Sequence, residues 1–282
     1  MIPLAPAGIP VEAVVDRTAP LWAQVLAASL ALPAFLPLGF VLLNAVAWTR
    51  GRPLSAAERA APGGVSLLIP ARDEVTNIEC CVRAADAARG PIREIIVYDD
   101  GSSDGTGEVL VELQAEVPRL RVIRGGELPE GWVGKPHALH QLSTVASSDV
   151  LLYIDADVAL RRDGVLRMLS LLATPEQVPG GLDAAVVTAV PRQCVASLGE
   201  RLLMPLLHLS YVAWLPMPVV HRTGDPRVLA ANGQLLLIRR SVLESVGGWV
   251  RLRSSLVDDM ALCRRAKGEG LRVVFADGHH VA

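Results

Sequence analysis

VSLLIPARDE (65–74), EIIVYDDGSSDGT (94–106) and VLLYIDAD (150–157) decide the fold of this 282-residue chain. Each contains a short continuous apolar run, Val65–Ile69, Glu94–Tyr98 or Val150–Ile154, followed by Pro, Asp or Gly. An apolar run without polar alternation suits a strand buried on both faces, as in parallel sheets covered by helices. Helical patterns fall between these runs. They are expected at Thr76–Ala88, with Thr76 as its cap, from about Thr106 to Val117, and at Pro136–Ala146, with a further strand at Leu120–Ile123. The fold class is therefore α/β, with a doubly wound, mostly parallel sheet and helices on both faces.

In an open parallel sheet, ligands bind beyond the carboxyl ends of the strands. The residues that follow the strands are thus the candidates, and they are acidic: Asp73 and Glu74, Asp99 and Asp100, Asp155 and Asp157. Two carboxylates at i and i+2 after a strand can reach one hard cation, Mg2+ or Mn2+, and leave positions open for phosphate oxygens. Such a triplet also serves as an ordinary turn, so its place after an apolar strand is what gives it weight. The Asp99–Thr106 loop matches neither a dinucleotide fingerprint nor a phosphate-binding loop, although its carboxylates suit ribose hydroxyls or a base N–H. Its plain alternative is a turn with Asp104 capping the next helix. Lys135 lies in a Gly-bracketed loop before a helix, where an ammonium contacts phosphate or simply stays solvated. Asp258 and Asp259 open the helical pattern Met260–Lys267. They suit the positive end of a helix dipole, and one of them also suits a base that takes a proton from a hydroxyl.

Bulk properties narrow the partners. The formal net charge of −2 and the absence of a basic stripe give no electrostatic case for nucleic acid. Cys80, Cys81, Cys194 and Cys263 form no CxxC pair and read as reduced, small apolar residues. Mean hydropathy is +0.38, and the excess concentrates between Leu21 and Trp48, where no residue is charged. That is enough to cross a hydrocarbon core, which needs roughly 20 apolar residues. Trp22 and Trp48 are placed to sit at the two interfaces, and Pro33 and Pro37 to kink the helix. Glu12, Asp16 and Arg17 precede the run, whereas Arg50 and Arg52 follow it. This bias puts the remainder of the chain in the cytoplasm. The expected organisation is a tail (1–20), a membrane anchor (21–48), a linker (49–64) and one α/β domain (65–282). A second apolar stretch, Leu202–Val220, holds Pro205, Pro216, Pro218 and His208. It reads either as an element lying against the bilayer or a lipid-acceptor groove, or as a core helix.

With these residues in place, the chain resembles the family 2 glycosyltransferases of the GT-A fold. The carriers are VSLLIPARDE, EIIVYDDGSSDGT, GKPHALHQ (134–141), YIDAD (153–157), ANGQLLLIRRSVLESVGGW (231–249) and VDDMALCRRAKGEGLRV (257–273), in family order. GWVGKPHAL (131–139) and VDDMALC resemble the membrane-bound branch acting on hopanoid or carotenoid-type lipids. The resemblance implies nucleotide contacts from Pro70, Ala71, Glu74 and Asp100, with Lys135 nearby. It implies a metal and diphosphate site at Asp155 and Asp157, an acceptor-side loop at Asn232-Gly233, and Asp259 as catalytic base. It implies an inverting transfer of sugar from a nucleotide-sugar donor, uridine-linked, to a lipid acceptor at the membrane.

The sequence departs from the family pattern in four respects. Asp258 stands where the family has Glu, and Arg72-Asp73 where it often has an aromatic residue and Asn. No Q-x-x-R-W motif precedes Ala282, which disfavours a processive polymerase. The chain stops directly after an expected strand (Arg272–Phe275), where this branch usually continues into membrane helices, so a fragment is expected. Competing readings are a polyprenyl-phosphate sugar synthase, a non-catalytic sugar-nucleotide binding protein tethered to the membrane, and, ranked last, a nucleotidyltransferase.

Overall fold

A computed structural model describes residues 20–48, 63–173 and 185–282. The expected tail and most of the expected linker lie outside the described residues, as do the charges at 12, 16, 17, 50 and 52. The first described element is the helix α1 (Leu21–Ala47). The domain then runs β1 (Val65–Ala71), α2 (Ile78–Ala87), β2 (Ile92–Asp99), α3 (Thr106–Glu116), β3 (Leu120–Arg124), α4 (Gly134–Val145), β4 (Val150–Ile154) and α5 (Gly164–Ala173). It continues with β5 (Val186–Pro191), α6 (Leu198–Trp214), α7 (Met217–Arg222), β6 (Leu235–Arg239), α8 (Arg240–Ser245), α9 (Asp258–Gly268) and β7 (Val273–Gly278).

The strands form one sheet in the order β3-β2-β1-β4-β6-β5-β7. Every neighbouring pair is parallel except β4 with β6 and β6 with β5, so β6 alone is reversed. Side chains alternate across each strand. Leu67, Ile69, Ile95 and Leu152 point to the face covered by α2, α3 and α5. Leu68, Ile96, Leu151 and Tyr153 point to the face covered by α4 and α9. Both faces are thus buried, the condition that makes these strands continuously apolar.

Several details differ from the sequence reading. The helix α2 starts at Ile78 rather than Thr76, and its N-cap, Asn77, makes no side-chain capping bond, so Thr76 is no cap. Both α4 and α9 begin two residues early, at Gly134 and Asp258, because a first helical turn tolerates Pro136 and favours acids without needing apolar periodicity. Asp104 sits one residue before the N-cap Gly105, yet its carboxylate still accepts the Thr106 N–H. The strands β5 and β6 escape the reading altogether.

None of the most apolar part of α1, within Leu21–Ala45, is buried, so α1 is no core helix. Its length and mean hydropathy of 2.2 are those of a helix able to cross a membrane. It runs unbroken through Pro33 and Pro37. Trp22 is exposed, and Trp48 stacks on Phe275 at 6.0 Å, against the domain. The stretch Leu202–Val220 divides between the two expectations. Leu202, Leu203, Leu206 and Leu207 on α6 are exposed, whereas Met217 and Val220 on α7 are buried beside Phe275. A Ser197–Glu200 capping box starts α6, and Pro205 is tolerated inside it.

The loops after β1 and β2 are laced together. Asp73 adopts a left-handed backbone (φ 55°), unusual for a residue other than glycine. Its N–H donates to Ser102 Oγ (3.0 Å), and its Oδ1 accepts the Ser103 N–H (2.8 Å). Next along, the Glu74 N–H donates to Thr106 Oγ1 (2.8 Å) and the Val75 N–H to Asp104 Oδ2 (3.0 Å). Asp and Asn enter the left-handed region more easily than β-branched residues. Asp73→Val is expected to destabilise the domain by about 1–2 kcal/mol, and Asp73→Asn by much less. Thermal melts of the purified variants check this, and equal melting of the two variants would refute the backbone account.

Candidate functional site

Six co-directional strands deliver their following residues to one edge, and helices running back across the sheet begin there. The ends of β1, β2 and β4 and the first turn of α4 enclose a cleft of about 330 Å³ at that edge. Pro70, Ala71, Glu74, Asp100, Lys135, Asp155 and Asp157, all candidates from the sequence, line it. Arg72, Gly134, Ala138 and Ala156 line it as well.

The reversed strand adds a second compartment. Because Leu235 pairs with Ile154, the residues that precede β6, not those that follow it, arrive beside Asp155. The Asp155 N–H donates to the Gln234 carbonyl (3.2 Å), and the Gln234 N–H to Asn232 Oδ1 (2.9 Å), which shapes the turn. Asn232, Gly233, Asp258 and Asp259 line this cavity of about 610 Å³, together with Lys135 and Asp155. Its remaining wall is largely apolar, with Leu215, Leu229, Leu256, Val257 and Met260. The loop lies beside the acid: a Cβ built at Gly233 would be in ordinary contact with Asp259 Oδ2, at 3.5 Å.

The two cavities share Lys135 and Asp155, joined by a 2.7 Å ion pair. Burial acts most strongly on Lys135, and downward, but the charges and hydrogen bond of Asp155, with Asp258 and Asp259, carry it above the ordinary lysine value. Burial pushes Asp155 up against the pull of Lys135, with Asp157 and Asp258 adding repulsion. Asp258 is likewise raised, first by burial, although Lys135 opposes the shift. One ammonium thus neutralises part of an acidic group that would repel itself without it. At the far end of the cleft, burial raises Asp100 despite Arg72, whose Nη1 lies 3.5 Å away. Asp259 Oδ1 accepts the Met260 N–H (2.7 Å).

The donor set suits a hard cation that arrives with a ligand. Asp157 is exposed to the cleft, and Asp155 has one oxygen committed to Lys135. Among the described residues, no three His, Cys, Asp or Glu side chains converge as a metal cage. Protein oxygens would fill only part of a Mg2+ or Mn2+ shell, leaving the rest for phosphate and water.

Four further residues join the site. Tyr211 on α6, Leu215 just after it and Gln234 line the second cavity. Gln193, after β5, donates to Gln234 Oε1 (3.0 Å). A signal for Gln234 existed, since it adjoins Asn232-Gly233. Tyr211 and Leu215 fall in the stretch Leu202–Val220, one reading of which was a lipid-acceptor groove; for Gln193 there was no signal, because its contact is set by the unrecognised strands.

Known proteins bear on this geometry. The chain is 29% identical over 205 residues to a beta-monoglucosyldiacylglycerol synthase of Trichormus variabilis, covering 71% of this chain and 40% of that one. It is 30% identical over 105 residues to a 4,4'-diaponeurosporenoate glycosyltransferase of Staphylococcus haemolyticus, covering 37% of this chain and 27% of the other. The chain thus spans less than half the length of these relatives. Among solved structures, a mannosyltransferase from Pyrobaculum calidifontis in complex with GDP-Man and Mn2+ superposes with a TM-score of 0.61 at 21% identity, over 90% of this chain and 65% of that one. A glucosyl-3-phosphoglycerate synthase from Mycobacterium tuberculosis gives 0.51 at 22% identity, over 83% and 78%. At such identities these two likenesses concern the fold, which is GT-A. Residues 62–282 match the family described as "Glycosyltransferase like family 2", and the chain belongs to that family.

Proposed function

We propose that this protein is an inverting glycosyltransferase that moves a sugar from a nucleotide-sugar, a UDP-sugar, to a hydroxyl of a lipid acceptor at the cytoplasmic face of a membrane. The observation that carries the reading is the junction of two unlike cavities at Lys135 and Asp155. One is lined by carboxylates and backbone at the strand ends and suits a nucleoside diphosphate. The other pairs an acid, Asp259, with an apolar wall and suits a lipid-borne hydroxyl. A relative's name, beta-monoglucosyldiacylglycerol synthase, supports the lipid class of acceptor.

In this mechanism Pro70 and Ala71 pack against the nucleoside, while Asp100 and Glu74 accept hydrogen bonds from it. Lys135 places positive charge where the diphosphate leaves. Asp157 and Asp155 would hold Mg2+ or Mn2+, which when bound offsets the negative charge of the departing nucleoside diphosphate. Asp259 accepts the proton of the acceptor hydroxyl as the oxygen bonds to the anomeric carbon. The bond from that carbon to the diphosphate oxygen breaks on the opposite side, so the configuration inverts. Asn232 and Gly233 border the sugar, and the buried Asp258 holds negative charge beside the base. The exposed apolar helix α1 serves as the anchor that keeps the second cavity at the lipid surface.

Membrane preparations incubated with a panel of UDP- and GDP-sugars, with and without Mn2+, test the donor half. Metal-dependent release of nucleoside diphosphate is expected, and Asp157→Ala should reduce it to background. No release from any donor, even with lipid extract added, would leave a binding protein without turnover. Asp259→Asn tests the acceptor half. Transfer to lipid should fall by about 10²–10⁴-fold while nucleotide affinity stays. Unchanged transfer would favour a phosphate acceptor, which needs little base catalysis.

A further inference from the structure

Asn44 is the one polar side chain of α1 among the described residues that is fully buried. It lies three residues before the helix ends at Ala47. At about 1.5 Å per residue, the stretch from Leu21 to Asn44 is roughly 35 Å long, so a helix crossing about 30 Å of hydrocarbon brings Asn44 to the interface beside the domain. There both amide hydrogens are used: Nδ2 donates to the Val212 carbonyl (2.8 Å) and to the Leu215 carbonyl (2.6 Å). Oδ1 accepts the Met217 N–H (2.9 Å).

These partners are groups that helix ends leave without a partner in their own helix. Val212 belongs to the last turn of α6, and the Met217 N–H opens α7. One side chain of α1 thus caps the end of α6 and the start of α7. The same segment forms part of the wall of the second cavity, because Tyr211 and Leu215 line it together with Asp259. Tyr211 also packs on Phe275, on which Trp48 of the same helix end stacks. A buried amide is favourable only while its bonds are made, so the contact has one register and cannot slide as an apolar one does.

We infer that Asn44 is a positioning residue for the acceptor: through it the apolar N-terminal helix fixes the wall formed by Tyr211–Met217, so this helix is a working part of the acceptor cavity as well as an anchor. The inference rests on reading that cavity as the acceptor site. It does not involve the donor cleft, whose lining shares no residue with this segment.

The test uses the full chain in membranes. Asn44→Leu keeps the volume and removes all three bonds; Asn44→Gln keeps the amide; Leu43→Ala, on the exposed side of α1, is the control. In Asn44→Leu the KM for the lipid acceptor is expected to rise about tenfold or more. The KM for the donor and acceptor-independent nucleotide release should stay within about twofold, with partial recovery in Asn44→Gln and no change in Leu43→Ala. Equal losses of transfer and donor release would reduce Asn44 to a stability role, and unchanged kinetics would overturn the inference. Hydrogen exchange gives a reading that needs no acceptor. The amides of 211–217 should exchange faster in Asn44→Leu while those of 99–106 do not change. Uniform or absent acceleration would overturn the inference. Wild-type protein that releases nucleotide but transfers to no lipid would instead refute the acceptor reading, and the exchange result would still decide whether Asn44 holds the wall.

Discussion

The Lys135–Asp155 ion pair is the contact on which the site's arrangement rests. Four carboxylates, those of Asp155, Asp157, Asp258 and Asp259, gather at one edge of the sheet, and packing alone would leave them repelling one another. Lys135 lies in the first turn of α4 and Asp155 directly follows β4, so the pair also ties a helix covering one face of the sheet to the end of a strand within it. The surrounding burial opposes the charged form on both sides: it raises the carboxyls of Asp155 and Asp258 and works against the ammonium, yet the paired charges keep Lys135 above its ordinary value. A group that arrives with two negative phosphates would enter a centre whose charge is already partly matched.

Sheet direction explains why the two compartments meet there. Strands that run together send the loops after them to the same side, which is how Asp100 and Asp157 come to face one cleft. Reversal of β6 exchanges "after" for "before", and so the turn at Asn232-Gly233 joins the same edge from a different part of the chain. Seven strands would otherwise supply one kind of wall. The single reversal supplies a second kind, and α6 and the segment before α9 complete it with apolar residues.

How much of this was legible in the sequence follows from the same rule. VSLLI, EIIVY and VLLYI announce buried parallel strands by composition, and the acids behind them follow from the edge rule alone. The rule fails for Asn232-Gly233, because nothing local states that LLLIR runs backwards; only the resemblance to a family pointed there. Asp258-Asp259 was readable as a helix cap or as a base, and its position at the start of α9 is compatible with both. Asn44 was invisible for a different reason. A lone amide in an apolar run has no periodicity to betray it, and its partners lie 168 to 173 residues further on. Asp73 was noticed as a departure from the family pattern, but its left-handed backbone is a property of the loop it is tied to.

That lacing of Asp73, Glu74 and Val75 to Ser102, Ser103, Asp104 and Thr106 has a consequence for how a ligand meets the protein. The hydrogen bonds hold the two loops in place before anything binds, and the conformational entropy of ordering them is lost during folding. An incoming ligand therefore encounters a formed receptor on this side, with little loop closure left to perform. Its association rate should be governed by diffusion and access to the cleft, and its residence time by the contacts themselves.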